Sequence, residues 1–194
     1  MMMKNEIDKY LIQYKELFSS ELFINSIPDD LNLDSTSENF VFGEGNPNAE
    51  IVFIVEAFGE QEDSSFIEKS DKLLDKILSA IYLNRDDVYI LNIVNCIPSK
   101  NINSSIDKIS KYDKLLRNQL KTIKPSVIIA LGEIVAQNLL NCNKTLSDLR
   151  NEIYKYQNID LLVTYHPADL IRNPSLKKDT WEDFKTLKRD YINA

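Results

Sequence analysis

The chain has 194 residues, 43% of them hydrophobic and 27% charged, with a formal net charge of -7. This balance suits a soluble globular protein, and the length suits one domain over residues 1–194, with 1–39 as an N-terminal helix and loop. No run approaches the ~20 apolar residues of a membrane span, and the charge by itself argues against a nucleic-acid partner.

An amphipathic helix is expected from about Asn5 to Ser20, with Ile7, Tyr10, Leu11, Tyr14 and Leu17 on one face. Its opening, Met1 to Asp8, lacks the apolar core of a signal peptide, so a cytoplasmic protein is expected. A polar loop, Pro28 to Asn39, follows. Ile51 to Val55 then reads as a buried strand, Lys69 to Tyr82 as a helix, and Val88 to Leu91 as a second strand. Ser105 can cap a helix carrying Ile106, Ile109, Leu116, Leu120 and Ile123. Val127 to Leu131 is a third strand, which Gly132 turns into a helix ending near Asn141, and Leu161 to Val163 is a fourth. A closing helix, Lys178 to about Ile192, is expected to pack Trp181, Phe184, Leu187 and Tyr191. Short apolar strands alternating with helices predict a three-layer α/β/α fold around a central four-stranded parallel sheet.

In such a sheet the carboxyl ends of all strands share one edge, where ligands bind. The residues falling there are Glu56 to Asp63, Asn92, Gly132 and His166, the only histidine in the chain. His166 opens the segment Tyr165-His166-Pro167-Ala168-Asp169-Leu170-Ile171-Arg172-Asn173-Pro174, which reads as a loop stiffened by two prolines. It is either a partly exposed loop histidine or a site residue. Asn92 either ties down its own loop or reads a polar ring edge with its paired donor and acceptor. Glu56, Glu60, Glu62 and Asp63 are costly together at a buried edge, so one can serve as a base or stabilise a cation while others cap the next segment. Gly43-Glu44-Gly45 precedes its strand and so fails as a dinucleotide fingerprint.

Charge is unevenly spread. Residues 1–94 carry 7 basic and 19 acidic side chains, whereas residues 95–124 carry 7 basic and 2 acidic ones. The basic stripe is either a solvated helix face or a phosphate-binding surface. Cys96 and Cys142 are the only cysteines, too few for a cysteine-only zinc site or an iron–sulfur cluster, and reduced thiols are expected.

Taken in order, these segments resemble the family 4 uracil-DNA glycosylases from about residue 40 onward. Val41 to Ala49 is similar to their lead-in, and Glu56-Ala57-Phe58-Gly59-Glu60-Gln61-Glu62-Asp63 to their first motif, with Phe58 where a proline usually stands. Val88 to Pro98 resembles their uracil-reading strand, Lys124 to Gly132 their third strand, Thr164 to Ser175 their second motif, and Trp181-Glu182-Asp183-Phe184 their closing helix. That family usually holds a four-iron, four-sulfur cluster on four cysteines. Here only Cys96 stands at such a position, the others being Pro28, Leu31 and Tyr112, so no cofactor and no metal are expected. The family's Gly-x-Pro-Phe element is also shortened, to Asp63-Ser64-Ser65-Phe66.

The resemblance implies hydrolysis of the bond between uracil and deoxyribose in DNA, on a base flipped out of the helix. Phe66 would stack on the uracil, Asn92 would read its edge, and Ala57 and Gly59 would line its pocket. A wall in the Glu60–Asp63 segment would exclude thymine. His166 or nearby backbone amides would stabilise the departing uracil anion. Glu62, or else Glu56, would stabilise the cation-like sugar and orient water. Gly132, at its helix N-terminus, and Arg172 are candidate phosphate contacts, and Leu170 or Ile171 the wedge that fills the vacated stack. DNA bearing uracil or another deaminated base is the expected partner of a monomer without membrane contact. Two alternatives stand beside this one: a non-catalytic nucleic-acid-binding or interaction protein on the same fold, and a glycosylase for another deaminated base such as hypoxanthine or xanthine.

Overall fold

A computed structural model describes residues 43–56, 62–93 and 116–192, with backbone alone at 92 and 93. The expected N-terminal helix and the positions Pro28, Leu31, Ala57, Phe58, Gly59, Glu60, Cys96 and Tyr112 lie outside the described residues. The chain groups into two compact units, residues 41–97 with 123–194, and residues 1–40 with 98–122. Of the second unit, residues 116–122 are described, and they are helical.

The first unit is built on a sheet of six strands: β1 (Glu44–Gly45), β2 (Ile51–Glu56), β3 (Tyr89–Ile93), β4 (Val127–Leu131), β5 (Tyr154–Tyr156) and β6 (Ile159–Thr164). Their spatial order is β1-β3-β2-β4-β6-β5. The four interior strands are mutually parallel and are those expected from the apolar runs. The two extra strands, β1 and β5, are antiparallel additions at the edges. With only two and three residues they are too short to show a sequence period.

The interior strands are apolar on both faces because both faces are covered. Ile51, Phe53, Val55, Ile90, Val127, Ile129, Leu131 and Leu162 form one core cluster with Leu74, Leu78, Phe184 and Leu187. The last four belong to helices α1 (Ser64–Ala80) and α5 (Lys177–Leu187). The Phe53 and Phe184 rings stack with centroids 6.2 Å apart. Truncating either ring to alanine should cost about 3–5 kcal/mol, through lost burial and the cavity left behind. Val52, Ile54, Ile128, Ala130, Leu161 and Val163 project to the opposite face and are also buried.

Three further α-helices are described in this unit: α2 (Glu133–Leu140), α3 (Leu146–Leu149) and α4 (Pro167–Arg172). Helix α1 begins five residues before the expected Lys69, because Asp63 caps it. The Asp63 carboxylate accepts from the Ser65 amide at 3.2 Å and the Ser65 hydroxyl at 2.6 Å. The segment after His166 is not the expected loop. Pro167 sits at the first helical position, where a missing N–H costs nothing, and a short helix forms. Trp181 is not packed inside as expected: it is 40% exposed, and the buried face of α5 is Thr180, Phe184 and Leu187. Beyond Leu187 the helix widens into a π turn, Lys188–Ile192.

Candidate active site

The parallel register places Glu56 beside Ile93, Val55 beside Asn92 and Leu131, and Leu131 beside Thr164. The strand ends therefore share one edge. Gly132 leaves β4 with φ +98°, a conformation that favours glycine, and its N–H donates to the Thr164 carbonyl at 2.9 Å. A Cβ added at Gly132 would lie 3.5 Å from the His166 Cβ, so the β4 and β6 exits abut. Gly132, the N-cap of α2, has no side chain with which to cap that helix.

His166 is the N-cap of α4. Its Nδ1 accepts from the Ala168 amide at 3.1 Å. An accepting Nδ1 leaves the neutral ring's proton on Nε2. Burial pushes the imidazole down to about 4, against the opposing pull of the Asp169 carboxylate and with the repulsion of Arg172. The ring is therefore a neutral donor at physiological pH.

Arg172 closes the other end of the same six-residue helix. Its Nη2 donates to Glu62 Oε1 at 2.5 Å, and its Nη1 lies 3.5 Å from Asp169 Oδ1. Its Cζ lies over the Phe66 ring, 4.8 Å from the centroid. Glu62 precedes the α1 cap and Phe66 lies in the first turn of α1, so packing of α1 on α4 assembles this group. Sequence reading singled out Glu62, Phe66 and Arg172 separately. It missed Asp169, whose signal was its i, i+3 spacing to Arg172.

The remaining residues are distributed as follows. Glu56 ends β2, half-buried. Asn92 lies in β3, and its side chain falls outside the described residues. Leu170 is 2% exposed, packed inward by the turn of α4, which corrects its reading as a wedge. Ile171 beside it is half-buried. Among the described residues no group of His, Cys, Asp or Glu is placed to hold a metal ion. No described helix is long and apolar enough to cross a membrane.

Beneath this edge lies a buried ionic network that sequence reading missed. Arg150 donates to both oxygens of Asp183, at 2.7 and 2.9 Å, and to the Asp179 carbonyl at 2.7 Å. Thr164 donates to the same Asp183 at 2.5 Å, and the Arg150 guanidinium lies 5.0 Å from the Tyr165 ring centroid. The signal was an aspartate next to Phe184 on the apolar stripe of α5. The network fixes the two residues that lead into His166.

The candidate site thus combines a neutral histidine donor, the start of α2 beside it, and an acid–aromatic–arginine group at the end of the helix that His166 begins. Residues 42–185 match the model of the uracil DNA glycosylase superfamily. The chain is 35% identical to the type-4 uracil-DNA glycosylase of Archaeoglobus fulgidus, over 80% of this chain and 84% of that one. It is 35% identical to the type-4 uracil-DNA glycosylase of Sulfurisphaera tokodaii, covering 77% and 74%. The Thermotoga maritima type-4 uracil-DNA glycosylase is 33% identical, covering 81% and 85%. The chain belongs to the uracil DNA glycosylase superfamily and groups with its type-4 members.

Proposed function

We propose that this protein hydrolyses the N-glycosidic bond of uracil in DNA, leaving an abasic site, and that it does so without an iron–sulfur cluster. The observation that carries the reading is His166, held neutral with its proton on Nε2 at the sheet edge. Cleavage breaks the bond between the sugar C1′ and uracil N1, and the electron pair leaves with the base. A neutral N–H donor stabilises the developing uracil anion without surrendering its proton. A flipped base costs a few kcal/mol to extrude. Stacking on Phe66 and hydrogen bonds from Asn92 offset that cost, with Ala57 and Gly59 lining the pocket. Glu62 stabilises the cation-like sugar and takes the proton of the water whose oxygen bonds to C1′, with Glu56 as the second carboxylate. The N–H groups at the start of α2, after Gly132, receive a backbone phosphate, and Ile171 is the side chain left to enter the vacated stack.

The donor set does not fit the cluster. Of the four cluster positions only Cys96 carries a thiol, which leaves three without a thiolate, and proline and leucine at two of them offer no ligand atom. No step of the chemistry above runs through such a group. The enzyme is read as a monomer acting in the cytoplasm.

The test is strand cleavage of a uracil-containing oligonucleotide, with alkali treatment after incubation with metal-free protein. Cleavage at uracil is the expected result. Release of hypoxanthine or xanthine instead would reassign the substrate, a change to which Phe58 in place of proline is suited. Binding to uracil or abasic DNA without base release would reduce the protein to a binding module.

A further inference from the structure

One cation serves three partners at the strand-end edge. Arg172 lies over the Phe66 ring, donates to Glu62, and approaches Asp169. A guanidinium keeps its charge at every accessible pH, so Arg172 can attract an anion under all conditions in which the protein is folded. Here it is half-exposed, as are its acidic partners, at 50% for Arg172 against 32% and 39% for Glu62 and Asp169. Such contacts are weak and exchange readily. A DNA phosphate is the stronger partner, because its two oxygens accept both N–H groups of the planar fork.

We propose that Arg172 is a positioning residue that latches the DNA-free site. In the closed state it covers a face of the ring on which uracil stacks and occupies one oxygen of the Glu62 carboxylate. A backbone phosphate of the bound strand draws it off. That single movement bares Phe66 for the base and frees Glu62 for water, so the site opens only when DNA is present. The assignment of the ring and the carboxylate rests on the glycosylase reading above. The arginine also lies at the end of the helix that His166 begins, so phosphate engagement and leaving-group stabilisation share one rigid element.

The test compares the parent chain with Arg172→Ala and Arg172→Lys in two measurements. The first is NMR of the arginine side-chain NεH signals. In the parent, the Phe66 ring shifts the Arg172 signal upfield. The shift is absent in Phe66→Leu and is lost when the parent is saturated with a duplex carrying an abasic-site analogue. The second is binding of free uracil, which has no phosphate to open the latch. Arg172→Ala should bind free uracil roughly two- to fivefold more tightly, the worth of an exposed cation–π contact. Arg172→Lys, which keeps the charge and loses the flat face, should fall between. Duplex binding by Arg172→Ala should weaken, with a salt slope smaller by about one. Uracil binding that is unchanged or weaker in Arg172→Ala overturns the latch, as does an upfield shift that persists in saturating duplex. A parent that shows the shift and its loss but releases no uracil would sink the glycosylase reading and leave the latch standing.

Discussion

Arg150 and Asp183 form a two-pronged ion pair with both side chains almost fully withdrawn from water, at 7% and 8% exposure. They stand in different parts of the chain, one just after α3 and the other within α5, and Thr164 of β6 joins them. Breaking a buried pair leaves an uncompensated charge, which costs more than the pair contributes. Arg150→Met or Asp183→Asn should each destabilise the fold by about 3–5 kcal/mol. The Arg150→Met/Asp183→Asn double variant should lose less than the sum, since no charge is then stranded. Urea denaturation of the three variants checks this, and additive losses would contradict it.

The single histidine makes the pH dependence readable without assignment. Its NMR titration should have a midpoint near pH 4, far below the usual histidine value, because burial disfavours the cation. Between those two values the unfolded chain binds a proton that the folded chain refuses. His166 therefore contributes stability in full above pH ~6.5, and that contribution declines as pH falls towards about 4, by of order 3 kcal/mol in total. Uracil release should show no loss from histidine protonation between pH 7 and 5. A midpoint near 6.5 would remove the neutral-donor role.

Glu62→Gln keeps the shape of the side chain and most of its hydrogen bonding to Arg172 but removes the charge. Single-turnover uracil release should fall about 100-fold or more, the usual worth of a positioned base. Affinity for an uncleavable uracil duplex should stay within about twofold of the parent, since the loss lies in the transition state. Parental turnover in this variant would move the role to Glu56.

Gly132→Ala meets no steric wall, since the new Cβ would stand at ordinary contact distance, 3.5 Å, from His166. The cost is conformational, because φ +98° is rarely adopted by residues with a Cβ. A loss of about 1–3 kcal/mol in thermal or urea stability is expected. An unchanged midpoint would mean that the β4–α2 turn relaxes to a different geometry.

The interior of the fold was legible because burial on both faces writes an unbroken apolar run. Val127 to Leu131 was expected to the residue, and the sheet edge named His166, Gly132 and Glu56 together. Short elements were not legible. Helix α4 owes its existence to a proline at its first position and a histidine cap, which in sequence look like loop stiffeners. Leu170 looked free to reach DNA because that segment was read as a loop; one turn of helix rotates it into the core. The Glu62–Phe66–Arg172 group spans 110 residues between its carboxylate and its cation. No local period reports such a contact, which forms only when α1 packs on α4.

The sheet also bears on how the protein behaves when crowded. Its long strands are all interior, and the described edges are the two-residue β1 and the three-residue β5. An exposed edge is a template for another chain to add to, and its hazard grows with its length. Here an incoming strand would find room for one or two hydrogen bonds at either side. The same short strands that escaped detection in the sequence are thus a safeguard against edge-to-edge aggregation, leaving an apolar sheet that few neighbours can extend.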